Sequence, residues 1–168
     1  MFSDILVAYD GTDGGQGLLD EAIELASTYR SKVRLVAVAH LQPGEMIAEA
    51  AYPVGLIAVH EDEMKKALAV AAAAFEQHGC HVETHLLIDN NPAAAIRDLA
   101  LQMGADLIVL GHRRRGPFSR LWNGSVGLAL LANPPCSVLV AMSTLPEQAL
   151  HKAGSVARKT EEVSQDRH

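Results

Sequence analysis

The chain has few of the features that mark secreted, membrane or metal-binding proteins. Its 168 residues include only two cysteines, and Cys80 and Cys136 show neither metal-ligand nor disulfide spacing, which favours a reducing compartment. No apolar run approaches the roughly 18 residues that a membrane-spanning helix needs. The amino-terminal stretch lacks a basic region followed by a long apolar one, so it does not resemble a secretory signal. We therefore expect a soluble, cytoplasmic protein with no membrane partner.

Positive charge and catalytic residue patterns are also scarce. The formal net charge is −6 and the sequence pI is about 5.7, which argues against nucleic acid as a partner. The eight histidines show no metal-ligand spacing. His81 and His85 are four residues apart but lie in a predicted strand, where that spacing only places them on one face. Since no Ser-His-Asp, Cys-His or paired-carboxylate arrangement is evident, we predict no catalytic residue and no metal site.

What the chain does have is apolar sequence in a regular order. Hydrophobic residues make up 49% of the chain, enough for one sizeable core, and we expect a single domain over residues 1–142. From Ser143 the sequence becomes polar and mixed in charge. We expect residues 143–168 to form a flexible tail, with at most a short surface helix around Glu147 to Lys152.

Short apolar runs alternate with helical patterns along that domain. Strands are predicted at Asp4–Tyr9, Val33–Ala39, Val82–Ile88, Leu107–Leu110 and Cys136–Met142. Four helices are predicted, the first ending near Arg30, the second over Leu56–Gln77, the third from the Asn91 cap to Gly104, and the fourth from Gly124 to Pro134. The segment His40–Gly55 is predicted to be an irregular connection, a candidate lid or interface segment. This order predicts an α/β fold with one doubly wound parallel sheet.

The segment between the fourth strand and the last helix has the composition of an anion site. Gly124 and Ser125 open a helix whose first amides lack intrahelical partners and whose dipole is positive at that end. Four arginines precede them in an otherwise acidic chain, Arg113, Arg114, Arg115 and Arg120. The same arginines could also form a solvated loop or contact another subunit. We favour phosphate binding because the helix start lies beside them.

From Asp4 to Met142 the sequence resembles the universal stress protein family. The resemblance rests on Asp10-Gly11-Thr12-Asp13 after the first strand, the fourth-strand motif DLIVLG, the Gly-Ser-Val helix start at Gly124, and a closing strand after a Pro-Cys step. It implies a five-stranded sheet in the order 3-2-1-4-5, Rossmann-like and of the adenine nucleotide alpha hydrolase type. It also implies a homodimer in which the fifth strands, Cys136–Met142, pair.

For one branch of that family the resemblance further implies bound ATP, alone or with magnesium. Its motif is glycine, two residues, glycine, nine residues and Gly-Ser/Thr; this chain matches it at Gly111 and Gly124-Ser125 but has Arg114 at the second glycine. Three alternatives stay open: Gly116 absorbs the turn, Arg114 points outward, or Arg114 itself contacts the triphosphate.

The resemblance assigns places around the nucleotide to residues from three parts of the chain. Asp10, in the turn with Gly11 and Thr12, would lie near the adenosine, although it could merely cap the loop or the first helix. Val38 would pack by the adenine, although it could be only a core valine. The residues that would surround the ribose and phosphates come from the loop and helix start: Gly111, His112, Arg113, Arg114, Gly116, Gly124, Ser125 and Val126. His112 could instead be a solvent-exposed residue with no role.

Three functions follow from this sequence. The leading one is an ATP-binding regulatory module of the stress response, in which nucleotide orders the loop 111–123 and changes the surface offered to an unknown protein partner. The second is a family member without nucleotide that acts through protein–protein contacts, which Arg114 favours. The third, a slow ATP hydrolase, would need a metal ligand and a group to orient water, for which only Asp10 and Asp13 are candidates.

Overall fold

The computed structural model describes residues 2–11, 15–112 and 126–142. Within them the strands are β1 (Asp4–Ala8), β2 (Lys32–Ala39), β3 (Val82–Ile88), β4 (Leu107–His112) and β5 (Ser137–Met142). The helices are α1 (Gln16–Tyr29), α2 (Pro43–Ala51), α3 (Leu56–Gln77), α4 (Pro92–Met103) and α5 (Gly127–Ala132). Strand and helix therefore alternate as the sequence predicts, with one helix more than expected.

The five strands form a single parallel sheet in the order β3-β2-β1-β4-β5. This confirms the predicted fold class and strand order. The chain starts in the middle of the sheet, builds outward to β3, then crosses back to β4 and β5. The direction of strand order reverses between β1 and β4, and a doubly wound sheet binds its ligands at the carboxyl ends of the strands at such a point.

Two hydrophobic cores cover the two faces of the sheet. On one face Val7, Leu35 and Val109 pack under α1 and α3, with Phe75 fully buried among them. On the other face Leu6, Ala8, Val36, Val38, Ile108 and Leu110 pack under α4 and α5. The central strands are apolar on both sides because both sides are covered. The edge strand β3 is covered less completely, since none of its residues is buried and Glu83, Thr84 and Ile88 are exposed.

Local sequence signals explain where the helices begin and end. The Asn91 side chain accepts the amide of Ala94 at 3.2 Å and Pro92 occupies the first helical position, so α4 starts as predicted. Gly104 ends α4 with a φ of 64°, and Gly79 follows α3 with a φ of 73°. Both conformations are left-handed, which glycine adopts without the steric cost that a Cβ imposes.

One prediction was wrong, and several boundaries differ by one or two residues. The segment His40–Gly55 is not wholly irregular, because Pro43–Ala51 forms α2. The first strand ends at Ala8 rather than Tyr9, although the Tyr9 amide still donates to the Val36 carbonyl at 2.9 Å. The fifth strand begins at Ser137 rather than Cys136, and the second begins one residue early at Lys32. The fourth strand continues to His112 instead of ending at Leu110, so Gly111 and His112 belong to β4, and α5 ends at Ala132 rather than Pro134. The predicted helix start at Gly124 lies outside the described residues, as does the tail 143–168.

The sequence also predicts that no helix is long and apolar enough to span a membrane. Among the residues that the structure describes, no helix combines the length and the hydropathy needed to span a bilayer.

Candidate functional site

The turn after β1 lies at the point where the strand order reverses. Asp10 is partly exposed there, and Gly11 follows with a φ of +74°. A Cβ built on Gly11 would lie 2.8 Å from Cε of Met64 and 3.1 Å from Cβ of Ala67, both on α3. Glycine is therefore required at this position twice over, by the left-handed backbone and by the close approach of α3.

The far end of the same turn is also tightly packed. A Cβ on Gly15 would lie 2.4 Å from Cε2 of Tyr9. The Tyr9 ring, 8% exposed, thus fills the space beside the start of α1. Gly11 and Gly15, which flank the turn, thus each lie against a side chain that a Cβ would meet, Met64 and Tyr9 respectively.

Two predicted site residues lie on one face of the sheet near this edge. Val38 is 7% exposed and Val126 is 3% exposed, and both belong to the core under α4 and α5. Ala8 and Leu110, which pair in register, share that face. The carboxyl edge therefore has an apolar wall on this side, made from β2, β1, β4 and the residue that caps α5.

Gly111 belongs to the opposite face. A Cβ at Gly111 would lie 3.5 Å from Cδ2 of Leu18 in the first turn of α1, an ordinary van der Waals distance. Gly111 can consequently offer only its backbone to a ligand beside Val38 and Val126. His112 ends β4, paired in register with Met142 of β5.

The other predicted site residues lie outside the described part of the chain. They are Thr12 in the first turn and, in the segment before α5, Arg113, Arg114, Gly116, Gly124 and Ser125. The structure thus brings Asp10, Gly11, Val38 and Val126 to one edge, and the anion-binding segment stays a sequence prediction.

Sequence reasoning missed a polar assembly at the same edge, centred on α2. Nδ1 of His60 lies 3.1 Å from the carbonyl oxygen of His40, and its Nε2 lies 3.6 Å from a carboxylate oxygen of Glu45. The Glu45 carboxylate also accepts the amide of Gln42 at 2.8 Å, at the start of α2. The signal was present in the sequence as Pro43 at the first helical position and a glutamate at the third.

A second carboxylate connects α2 to α3. The Glu49 side chain accepts the backbone amides of Val54, Gly55 and Leu56 at 3.3, 2.8 and 3.2 Å. These hydrogen bonds favour the ionised form, so the pKa of Glu49 is lowered, with the amide of Leu56 as the largest cause. The first amides of α3 are thus satisfied by a side chain of the preceding helix.

The described residues contain no group of three or more histidine, cysteine, aspartate or glutamate side chains that could hold a metal ion. At this edge the described residues supply an apolar wall and the Asp10 carboxylate, which are groups that can contact a ligand.

The comparisons with known proteins agree with this architecture. The sequence model of the universal stress protein family matches residues 1–141. A relative from Thermus aquaticus, the universal stress protein in the QAH/OAS sulfhydrylase 3' region, is 33% identical over 141 residues, which cover 83% of this chain and 98% of the relative.

Solved structures show the same fold. A protein of the universal stress protein family from Burkholderia pseudomallei superposes with a TM-score of 0.62 at 28% identity, covering 83% of this chain and 95% of the other. The universal stress protein from Archaeoglobus fulgidus in complex with dAMP superposes with a TM-score of 0.57 at 20% identity, covering 83% and 97%.

Proposed function

Because this chain belongs to the universal stress protein family, we propose that it binds an adenine nucleotide at the carboxyl edge of its sheet. ATP, alone or with magnesium, is the nucleotide that the chain's motif favours. The protein would act as a regulatory module whose surface changes with nucleotide occupancy. The observation that carries the proposal is that Asp10 and Gly11 follow β1, and Val38 lies near the end of β2, at the carboxyl edge where the strand order reverses.

The parts of this edge match the parts of an adenine nucleotide. An adenine ring is flat and apolar on its faces, and the family resemblance assigns Val38, an apolar residue near the carboxyl end of β2, to the place beside it. Asp10 can accept hydrogen bonds from ribose hydroxyls. The start of the last helix, with Gly124, Ser125 and the neighbouring arginines, provides amides and positive charge for the phosphates. The solved relative in complex with dAMP supports the same class of ligand.

Calorimetry on stripped protein tests the proposal. The purified protein is denatured, any released nucleotide is identified by chromatography, and refolded protein is titrated with ATP, ADP and AMP. We expect binding at micromolar affinity or tighter, about −8 kcal/mol. Asp10→Asn should weaken binding by roughly tenfold or more, since it removes the charge from a hydrogen bond worth about 1.5–3 kcal/mol. Asp20→Asn, on an exposed face of α1, is the matched control and should bind as the parent does.

Arg114→Gly separates the three alternatives for the loop. A variant that binds more tightly than the parent would mean that Arg114 obstructs the site, and a weaker one that Arg114 contacts phosphate. Equal affinity would mean that the side chain points away. If neither the parent nor Arg114→Gly binds any nucleotide while both stay folded, the proposal is wrong. Phosphate release in the same samples, with Asp13→Ala as control, tests for hydrolysis.

The lateral edge of the sheet beside its last strand supports a second function, contact between copies of the chain. The strand β5 lies at that edge, and Val140 on it is 37% exposed. Leu128 and Leu131 on α5 are 63% and 49% exposed. Among the described residues β5 pairs on one side only, with β4, and an edge strand with apolar neighbours favours pairing with a second copy. We therefore propose a homodimer through β5, which sedimentation of the parent against Val140→Lys would test.

A further inference from the structure

The helix α2 is ordered by polar contacts while its apolar side chains lie in solvent. None of its residues is buried within the described chain. Five large apolar side chains of α2, the turn after it and the first turn of α3 are exposed: Met46 at 44%, Ile47 at 72%, Tyr52 at 79%, Val54 at 69% and Val59 at 50%. We call these five residues the α2 patch. They lie within 14 residues of sequence (46–59), and the Glu49 carboxylate connects the helix to the turn that carries Val54.

Such a patch is unusual for a surface without a partner. Large exposed apolar groups scattered singly are ordinary, but five within 14 residues, on a helix of which no residue is buried and directly after it, are typical of a docking surface. The contacts that position α2, from Glu45 to His60 and from Glu49 to the amides of α3, lie on its polar side. They hold the helix in place without covering the apolar side chains.

The charge around the patch has one sign. From Leu35 to Met64 the chain has five carboxylates and no lysine or arginine. Glu61 and Asp62 pair with Lys65 and Lys66 in the next turn of α3, which leaves Glu45, Glu49 and Glu63 as the surplus. A partner with apolar residues on one side and basic residues beside them would complement this surface.

The carboxyl-terminal segment of the same chain has that composition. Six apolar residues recur at the spacing of one helix face: Leu145, Ala149, Leu150, Ala153, Val156 and Ala157. Between Ser143 and Thr160 the only acidic residue is Glu147, whereas Lys152, Arg158 and Lys159 are basic. The segment would thus bring an apolar stripe and a net positive charge.

The topology puts this segment within reach. The strands β5 and β2 run parallel, so the segment leaves the sheet at Met142 on the same edge from which the chain enters α2 after Ala39. Two strands, β1 and β4, lie between them, so the distance across is about 14 Å at roughly 4.8 Å per strand. A helix over residues 145–157 would be about 20 Å long at 1.5 Å per residue.

We propose that the segment from Leu145 to Ala157 docks as an amphipathic helix on the α2 patch of its own chain. The segment would cross the carboxyl edge of the sheet. Its leucines, alanines and valine would pack against the patch, and its basic residues would lie beside Glu45 and Glu63. This contact does not depend on nucleotide binding.

Hydrogen exchange on the full chain tests the proposal, read in peptides over 43–59 and 143–160. Leu150→Glu places a charge among the apolar residues of the segment and should raise exchange in 43–59 several-fold. Its matched control is Gln148→Glu, which adds the same charge two residues away and should change nothing. Ile47→Glu, at an exposed position, should in turn raise exchange in 143–160. Val70→Glu, at a valine of α3 that is as exposed as Ile47, is its control.

Each other outcome counts against the proposal. Unchanged exchange in 43–59 for Leu150→Glu would mean that the segment does not cover the patch. Protection that appears only at high protein concentration would assign the contact to a second copy. In an equal mixture of Ile47→Glu and Leu150→Glu chains, each variant retains one intact half of the contact. Restored protection in that mixture would mean that the segment docks on a partner chain, which also overturns docking within one chain.

Discussion

The carboxylate of Glu49 accepts the backbone amide of Gly55 at 2.8 Å, across the turn that joins α2 to α3. Gly55 itself has a φ of +77°, a left-handed conformation that directs the chain into the first turn of α3. A side chain of one helix thereby satisfies the start of the next. The two helices at the edge of the candidate site consequently depend on one ionised group.

The ionised state of Glu49 makes the order of this turn dependent on pH. Its pKa is lowered in the folded protein by the amides of Leu56 and Gly55. The stabilisation is therefore present above the ordinary pKa of glutamate and is lost as the pH falls through the lowered value. We expect exchange of the amides of 54–56 to rise at acidic pH more than intrinsic rates predict. Glu49→Gln should abolish that pH dependence, whereas Glu24→Gln, at an exposed position of α1, should preserve it.

Gly11 can be tested against a glycine with the same backbone and no close neighbours. Gly11→Ala should lower the free energy of unfolding by more than Gly79→Ala does. Both glycines have a φ near +74°, but only a Cβ added at Gly11 would lie within 3.1 Å of side-chain atoms of α3. The backbone conformation alone costs about 1–2 kcal/mol, which Gly79→Ala measures. Urea unfolding gives both values. Equal losses would mean that Met64 moves aside freely.

Arg34 links three strands at the amino edge of the sheet. Its guanidinium pairs with Asp4 of β1 and, at 3.4 Å, with Glu83 of β3, and its side chain is only 16% exposed. Arg34→Met should lower the free energy of unfolding by roughly 1–3 kcal/mol, because it leaves the half-buried Asp4 carboxylate without its positively charged partner. Lys32→Met, at an exposed position two residues earlier, should cost little. In the double variant Arg34→Met with Asp4→Asn, part of the lost stability should return in urea unfolding. If none returns, Arg34 stabilises the fold through its packing and not through its charge.

The thiol of Cys136 should react slowly. Burial, and next the negative charge of Asp106, raise the pKa of Cys136. Because the thiolate is the reactive form, alkylation at pH 8 should be slower than for a free thiol. Asp106→Asn should accelerate it, and Asp98→Asn, on an exposed face of α4, should not. Mass spectrometry follows Cys136, with Cys80 as the reference in each sample. Equal rates in the parent and Asp106→Asn would mean that burial alone sets the reactivity.

The fold and several of its boundaries could be predicted from local residue chemistry. Apolar runs such as Leu107–Leu110 encode buried strands because a strand covered on both faces needs apolar residues on both. Asn91, Pro92 and Gly104 encode the ends of a helix because their backbone and side-chain preferences act within one turn. The helix at 43–51 is not evident from the sequence because the segment 40–55 contains two prolines and two glycines, which are typical of turns.

The sequence by itself determined the succession of the five strands and of four of the five described helices, the family of the chain and the residue types at the candidate site, because each depends on neighbours in the chain or on motif spacing. Only the tertiary structure decided which of those residues share a face. It separated Gly111, which faces Leu18, from Val38 and Val126, and it brought Met64 against Gly11. These relationships arise from strand pairing and helix packing between residues far apart in sequence, which no local pattern specifies.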